Sequence, residues 1–182
     1  IWKELRALQF IGDFQISQPF SQLMQHKVSG DLFEMHSVPR HPHFQRRVES
    51  ECAVVEQVDH PFILDSRGII YKLEATNFLW EYTPKCVQDI ARDIGRREAV
   101  GYACELLAAV GYIHHKRFLH RNIHVESVRI SSSGHVRLGG FVHSAHIANG
   151  QRTRTICGIP RYMAPERMLG QEHGLLSDWY SY

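Results

Sequence analysis

The sequence predicts a mixed α+β fold in two parts, and two observations support this. First, two strand-like runs, a helical segment and two more strand-like runs follow one another and end near residue 82. This order is typical of a small α+β lobe. Second, the pattern changes at residues 82–84, and the strongest helical periodicity follows at 96–118. We therefore expect a small lobe of mostly antiparallel strands with one helix, and then a mainly helical lobe.

The first part is predicted to hold a hairpin, a helix and another pair of strands. Residues 23–27 and 32–38 alternate around Ser-Gly-Asp at 29–31, which is a hairpin pattern. Residues 44–58 place apolar side chains close to the helical period, and a His-Pro pair follows them. Two further strands, joined by a polar loop, are expected within 61–82.

The second part is predicted to hold a long helix, a hairpin and a long loop. An apolar stripe on the helix at 96–118 is expected to face the core. Its members are Val100, Cys104, Leu107, Val110 and Ile113. Short strands at 127–131 and 135–139 are expected to pair. Residues 141–161 are polar and aperiodic, which is typical of a long functional or mobile loop.

Composition and charge exclude several classes of protein. The 182 residues carry 21 Lys and Arg against 19 Asp and Glu, a net charge of +2, so nucleic-acid binding by bulk charge is not expected. No stretch approaches the roughly 20 consecutive apolar residues of a membrane helix, and no signal peptide is recognisable. Four separated cysteines without a CxxC pair predict reduced thiols in a cytoplasmic protein. The 13 histidines lack the spacing of a zinc site.

Three segments of the second part carry a family resemblance. Residues 118–141 read FLHRNIHVESVRISSSGHVRLGGF, residues 152–170 read RTRTICGIPRYMAPERMLG, and residues 177–182 read SDWYSY. They resemble the catalytic loop, the metal-binding loop, the activation segment and the start of the core helix of a eukaryotic protein kinase. The most specific motif is CGIPRYMAPE at 157–166.

The resemblance extends over the chain and implies a bilobal protein-kinase-like fold. Residues 1–82 correspond to the small lobe, and 83–182 to an incomplete large lobe, because a kinase fold normally continues through more helices. Glu166 would pair with an Arg in that missing part. Thr-Ile-Cys-Gly at 155–158 resembles the cyclic-nucleotide-dependent kinases, but giant muscle proteins also contain degenerate kinase domains, so the subfamily is not assigned.

The family's phosphate-binding residues are changed in this sequence. Phosphoryl transfer in kinases uses a Gly-rich loop over the phosphates and a strand Lys paired with a helix Glu. The loop position, residues 14–22, contains no glycine. By the resemblance, His36 stands at the strand Lys position. Its expected partner, Glu51, is retained.

The catalytic loop has lost its proton acceptor. His120 and Arg121 are retained, but Asn122 stands where the family has the Asp that accepts the substrate proton, and an amide is not a base. Three other positions also differ: His124 replaces a Lys, Ser127 replaces the magnesium-holding Asn, and Gly140 replaces the magnesium-holding Asp. We therefore expect no metal site and no Mg–ATP binding of the ordinary kind.

The adenine pocket of the family is predicted to be blocked here. By the resemblance, Glu34 lies over the base, Arg129 lies beneath it, and Trp80 guards the back. One hypothesis is that Glu34 and Arg129 form an ion pair that fills the space of the base. The alternative is that both side chains extend into solvent. No cofactor is expected on either interpretation.

A regulatory site is also implied by the resemblance. Thr155 stands where many kinases carry an activating phosphate, and Arg121 is the residue that would bind it. The alternative is that Thr155 is an unmodified residue in a solvated loop.

The residues that pack the fold are kept, whereas the residues that carry the kinase chemistry are changed, and this combination predicts a pseudokinase. Phe141, His120 and Asp178 occupy positions that build and anchor the family's internal hydrophobic column. The predicted function is a catalytically inactive scaffold or allosteric regulator, not an enzyme, that binds a protein partner and neither nucleic acid nor membrane. One alternative is an atypical or weakly active Ser/Thr kinase, in which Glu126 or another carboxylate holds metal. Another is a metal-independent nucleotide switch.

Overall fold

The computed structural model describes residues 8–13, 21–147 and 151–182. The chain divides into two units, one of Ile1–Val48 with Asp65–Tyr82 and the other of Glu49–Leu64 with Thr83–Tyr182. Most of the glycine-free segment at 14–22 lies outside the described residues. In the described part of the chain, every helix is too short or too polar to cross a bilayer.

The first unit is built on a five-stranded antiparallel sheet. Its strands are β1 (Leu8–Asp13), β2 (Ser21–His26), β3 (Leu32–Pro39), β4 (Ser66–Tyr71) and β5 (Ala75–Glu81). Their order is β1-β2-β3-β5-β4, and each neighbouring pair is antiparallel, which confirms the predicted fold class. Strand β1 was not predicted. A register shift between Phe10 and Gly12 interrupts the alternation by which strands are recognised.

The predicted turn between β2 and β3 is a tight hairpin closed by backbone hydrogen bonds. The His26 N–H donates to Asp31 O at 2.8 Å, and the Gly30 N–H donates to His26 O at 2.9 Å. Gly30 has a φ of 79°, in the left-handed region that glycine enters without steric cost. This glycine therefore sets the hairpin register.

The register of β3 and β5 decides which side chains share a face of the sheet. Glu34 lies opposite Trp80, and His36 lies opposite Phe78. Directly opposite residues project from the same face, and successive residues alternate, so these four side chains share one face. The other face carries a cluster of buried apolar residues, Met35, Ile70 and Leu79.

The predicted helix at 44–58 is present as α1 (Gln45–Gln57), directly after a 3-10 turn at Pro42–Phe44. Proline suits this turn because its φ is already set and its missing N–H would have no partner there. The helix buries Glu51 and Val54.

Residues 49–64 group with the second unit because the chain after α1 pairs with a strand of that unit. The Leu138 N–H donates to Phe62 O at 2.8 Å, and the Leu64 N–H donates to Leu138 O at 2.9 Å. The predicted lobes meet at residue 82. The observed units differ from them at residues 49–64, which group with the second unit.

From Thr83 onward the described residues form four α-helices and two small sheets. The helices are α2 (Val87–Ile90), α3 (Arg96–His115), α4 (Pro165–Met168) and α5 (Leu176–Ser181). The first sheet consists of β6 (Lys85–Cys86), β8 (Val128–Ile130) and β9 (Val136–Leu138), and the second pairs β7 (Phe118–Leu119) with β10 (Ala145–His146). The β8–β9 hairpin was predicted, whereas the two-residue strands are too short to show a period.

The predicted apolar stripe on α3 is wrong for Val100, Cys104 and Leu107, which are exposed, and correct for Val110 and Ile113, which are buried. Val100 is 57% exposed and Leu107 is 48% exposed. The buried residues of the helix are Leu106, Ala109, Val110, Ile113 and His114. The predicted stripe and the buried face share Val110 and Ile113, so the 3.6-residue period fits both, and only packing decides which face is buried.

The predicted loop at 141–161 is largely irregular, as expected. It contains 3-10 turns at Phe141–His143 and Pro160–Tyr162 together with β10, and residues 148–150 lie outside the described residues.

Candidate functional site

The candidate site is the loop at 119–127 together with the segments that hold it. Asp178 on α5 is fully buried and fixes the loop by its carboxylate. Its Oδ2 accepts the His120 N–H, and its Oδ1 accepts the Arg121 N–H, both at 2.8 Å. A third bond joins Oδ2 to Nε2 of His114 at 2.9 Å. The predicted anchoring role of Asp178 thus has a geometric basis.

Asp178 is held in its ionised form. Burial by itself would raise the pKa of its carboxyl, but the hydrogen bond from His114, the nearby His120 imidazole and the two backbone N–H groups together hold that pKa below its usual range. Sequence reasoning did not identify His114 as part of the site. Its side chain is 7% exposed and bonded to Asp178.

His120 is a fully buried, neutral imidazole. Its Nε2–H donates to Gly139 O at 2.8 Å, and its Nδ1 accepts the Asn122 N–H at 3.2 Å. The ring lies 4.8 Å from the ring of Phe141. Burial lowers the pKa of His120 to about 4, because the neutral ring already satisfies both nitrogens and a second proton would oppose the Asn122 N–H.

Asn122, at the proton-acceptor position, is 7% exposed and forms part of this network. Its Nδ2 lies 3.4 Å from Nε2 of His124. With Nε2 accepting, the His124 proton is on Nδ1, which is buried without a hydrogen-bond partner. Burial lowers the pKa of His124. The pair therefore supplies a neutral amide and a neutral imidazole at the positions where, by the resemblance, the family has a carboxylate and an ammonium.

Ser127 closes a local turn. Its Oγ accepts the His124 N–H at 2.9 Å and donates to His124 O at 2.8 Å. The hydroxyl is therefore already committed to the backbone. Gly140 begins the turn at Phe141–His143 with a φ of 80° and a ψ of 37° and offers no side chain.

These residues do not fit a magnesium ion held as the family holds it. Mg²⁺ prefers charged oxygen ligands, whereas Asn122 is neutral, the Ser127 hydroxyl is occupied and Gly140 has no ligand atom. In the described ranges, no three His, Cys, Asp or Glu side chains lie close enough together to hold a metal ion.

Arg121 and Thr155 are engaged with different groups. The Arg121 Nε donates to His143 O at 2.6 Å, and its Nη2 donates to Ser144 O at 3.3 Å. Thr155 is exposed, and its N–H donates to Oγ1 of Thr153 at 3.2 Å. The predicted phosphate switch stays a prediction.

The predicted pocket residues are distributed over both units. Glu34, His36 and Trp80 share one face of the first sheet, where His36 stacks on Phe78 with ring centroids 6.3 Å apart. Glu51 belongs to the second unit and is 2% exposed. The pairing of Glu34 with a residue of the other unit stays a prediction.

Arg129 is buried within the second unit. It is 4% exposed, and its Nε and Nη2 donate to Oγ1 and O of Thr83, each at 2.9 Å. The alternative that Arg129 extends into solvent is therefore wrong. The sequence carried no pattern that linked Thr83 to it.

Arg167 is a further site residue that sequence reasoning missed. It follows Glu166 in α4 and is 1% exposed. Its Nη2 donates to the carbonyl oxygens of Arg121 and Cys157. It joins the candidate loop to the activation segment, and no periodicity in the sequence distinguishes it from a surface arginine.

Comparison with known proteins gives a consistent family. The profile described as "Protein kinase domain" matches residues 23–182. The mouse cAMP-dependent protein kinase catalytic subunit PRKX is 29% identical over 141 residues, which cover 75% of this chain and 39% of the relative. The human putative serine/threonine-protein kinase PRKY is 28% identical over 141 residues, which cover 75% of this chain and 50% of the relative. The human ribosomal protein S6 kinase-related protein is 29% identical over 145 residues, which cover 75% of this chain and 34% of the relative.

The chain spans about a third to a half of the length of these relatives. The comparisons also overturn one prediction. The expectation that the chain is not an enzyme is wrong, because the matched family is an enzyme family and relatives from mouse and human are named as catalytic subunits of a protein kinase. The match over residues 23–182 shows that the chain belongs to the protein kinase family.

Proposed function

We propose that this protein kinase domain acts chiefly by binding a partner protein, as a scaffold or allosteric regulator, and that its own phosphoryl transfer is weak. The observation that carries the proposal is the neutral amide of Asn122 at the proton-acceptor position, bonded into a buried network with His120 and His124. A positioned general base typically contributes about 10²–10⁴-fold to a rate, and this contribution is missing.

The metal-holding positions support the same proposal. The Ser127 hydroxyl is bonded to its own turn, and Gly140 has no side chain, so neither offers a charged oxygen to a divalent cation. In contrast, the buried contacts of Asp178 and His120 keep the loop in a defined shape. A shape kept without its charged ligands suits recognition better than rapid turnover.

The partner we propose is a protein, and the location is cytoplasmic. All four cysteines are free thiols, as expected in a reducing compartment, and the net charge of +2 gives no bulk attraction to nucleic acid. Helix α1, which contains Glu51, and the activation segment from residue 151 are the surfaces proposed for contact with the partner.

Transfer of radiolabelled phosphate from ATP to a generic Ser/Thr peptide tests the proposal. The family's residues are restored in one variant that combines Asn122→Asp, Gly140→Asp and His36→Lys. Asp is among the few residues that tolerate the left-handed backbone at Gly140. We expect the variant to exceed the native chain by at least about 100-fold, because it regains a general base.

Asn122→Ala is the control, since it measures phosphate transfer by any contaminating kinase. Native turnover as fast as that of the restored variant, and clearly above the control, would contradict the proposal and favour the atypical kinase. ATP stabilisation without magnesium would instead favour a nucleotide switch, because a ligand at 100 times its Kd adds about 2.7 kcal/mol of stability.

A further inference from the structure

Arg167 is a charged residue in a buried environment, where the described residues offer it only carbonyl oxygens as partners. Its side chain is among the largest fully buried ones, and its Nε has no hydrogen-bond partner. In the described part of the chain no carboxylate pairs with it, and its donors reach only the carbonyl oxygens of Arg121 and Cys157. A buried, unpaired charge is costly, so its retention needs a reason.

Arg121, to which Arg167 donates a hydrogen bond, has a strained backbone conformation. Arg121 has a φ of 64°, a left-handed conformation that residues other than glycine rarely adopt. The Arg121 N–H is held by Asp178, its guanidinium is held by the carbonyls of residues 143 and 144, and its C=O is held by Arg167. The backbone N–H, the backbone C=O and two guanidinium nitrogens of this strained residue are therefore bonded.

The activation segment passes directly against the same carbonyl. Gly158 has a φ of 95°, and a Cβ at this position would lie 2.5 Å from Arg121 O and 2.9 Å from Nη2 of Arg167. A side chain there would force the neighbouring groups to shift. The backbone of Gly158, the carbonyl of Arg121 and the guanidinium of Arg167 form one close junction.

We propose that Arg167 is a positioning residue for the candidate site. By donating to both carbonyls, it holds Arg121 in its left-handed conformation and thereby fixes the place of Asn122. The same two bonds tie the activation segment to the 119–127 loop. This role depends on the donors and charge of the guanidinium and applies whether phosphoryl transfer is weak or fast.

Hydrogen–deuterium exchange of backbone amides in the full chain tests the proposal. In Arg167→Met, which keeps length but has no donor, we expect exchange at residues 121–123 and 157–159 to rise by about tenfold or more, as local opening becomes easier. Amides of the β8–β9 hairpin should not change. Arg167→Lys should restore most of the protection, because an ammonium can donate to both carbonyls.

Arg154→Met is the matched control, since Arg154 is exposed and pairs with Glu172 at the surface. It should leave both segments unchanged. Gly158→Ala approaches the junction from the other side and should loosen the same two segments; it replaces Arg167→Met if that variant does not fold. A rise spread evenly over the chain, no rise at all, or Arg167→Lys behaving like Arg167→Met would each overturn the proposal.

Discussion

Asp178 concentrates the polar contacts of the candidate site in one residue. Its two oxygens accept two backbone N–H groups and bond a histidine, and the carboxylate itself is fully buried. The carboxylate can accept both backbone N–H groups. A neutral amide of the same shape can accept only one of them in this geometry, since it has one acceptor oxygen instead of two.

Asp178→Asn should lower the free energy of unfolding at neutral pH by about 1–3 kcal/mol, because the amide nitrogen cannot accept one of the two backbone N–H groups, which is then left buried without a partner. Urea denaturation measures it. Asp65→Asn is the control, because Asp65 is half exposed and pairs with Arg67 at 3.0 Å, and such pairs contribute about 0–1 kcal/mol. Equal effects of the two substitutions would contradict the anchoring role.

The residues of the site were predictable to different degrees. The resemblance of short motifs predicts that Asn122, Ser127 and Gly140 are changed positions, because each lies within or next to a recognisable motif. Arg167 and His114 were not predictable, since their partners lie 46 and 64 residues away. A local pattern records which residue is present, whereas a distant partner exists only after folding.

At the scale of elements, α3 shows how packing selects one face of a helix. Its C-terminal half buries Ala109, Val110 and Ile113 completely, whereas Val100 remains largely exposed. Both stripes satisfy the helical period, so the choice comes from the strands against which the helix packs. The pattern identified the helix but not the side that forms the core.

Two matched substitutions test this assignment. Val110→Ala should lower the free energy of unfolding by about 2 kcal/mol, because it removes buried methyl groups and leaves a cavity. Val100→Ala should change it by no more than about 0.5 kcal/mol, as expected for an exposed position. Thermal unfolding compares the two variants. A loss for Val100→Ala as large as that for Val110→Ala would contradict the exposed position of Val100.

At the scale of the whole molecule, buried neutral histidines make stability depend on pH. Burial lowers the pKa of His120 to about 4, against 6.5 when the group is free. Burial also lowers the pKa of His124 and of His173. Between pH 6.5 and 4 the unfolded chain therefore binds more protons than the folded chain, and stability falls as the pH falls.

We expect the free energy of unfolding to drop by about 3 kcal/mol between pH 6.5 and 4 from His120 alone, at 1.36 kcal/mol per pKa unit. Urea denaturation at several pH values measures the slope. His115→Gln, at an exposed position, should leave the slope unchanged, whereas His120→Gln should reduce it. A native chain equally stable at pH 6.5 and 4.5 would contradict the buried neutral state of His120.

The sequence by itself determined the class of fold and the antiparallel hairpins, and it predicted the changed positions Asn122, Ser127 and Gly140. These features rest on local alternation, turn residues and short motifs, which are written in consecutive residues. The tertiary structure alone decided the buried face of α3, the grouping of residues 49–64 with the second unit and the contacts of Asp178 and Arg167. Those depend on groups far apart in the chain, whose burial and hydrogen bonds arise only when the folded backbone brings them together.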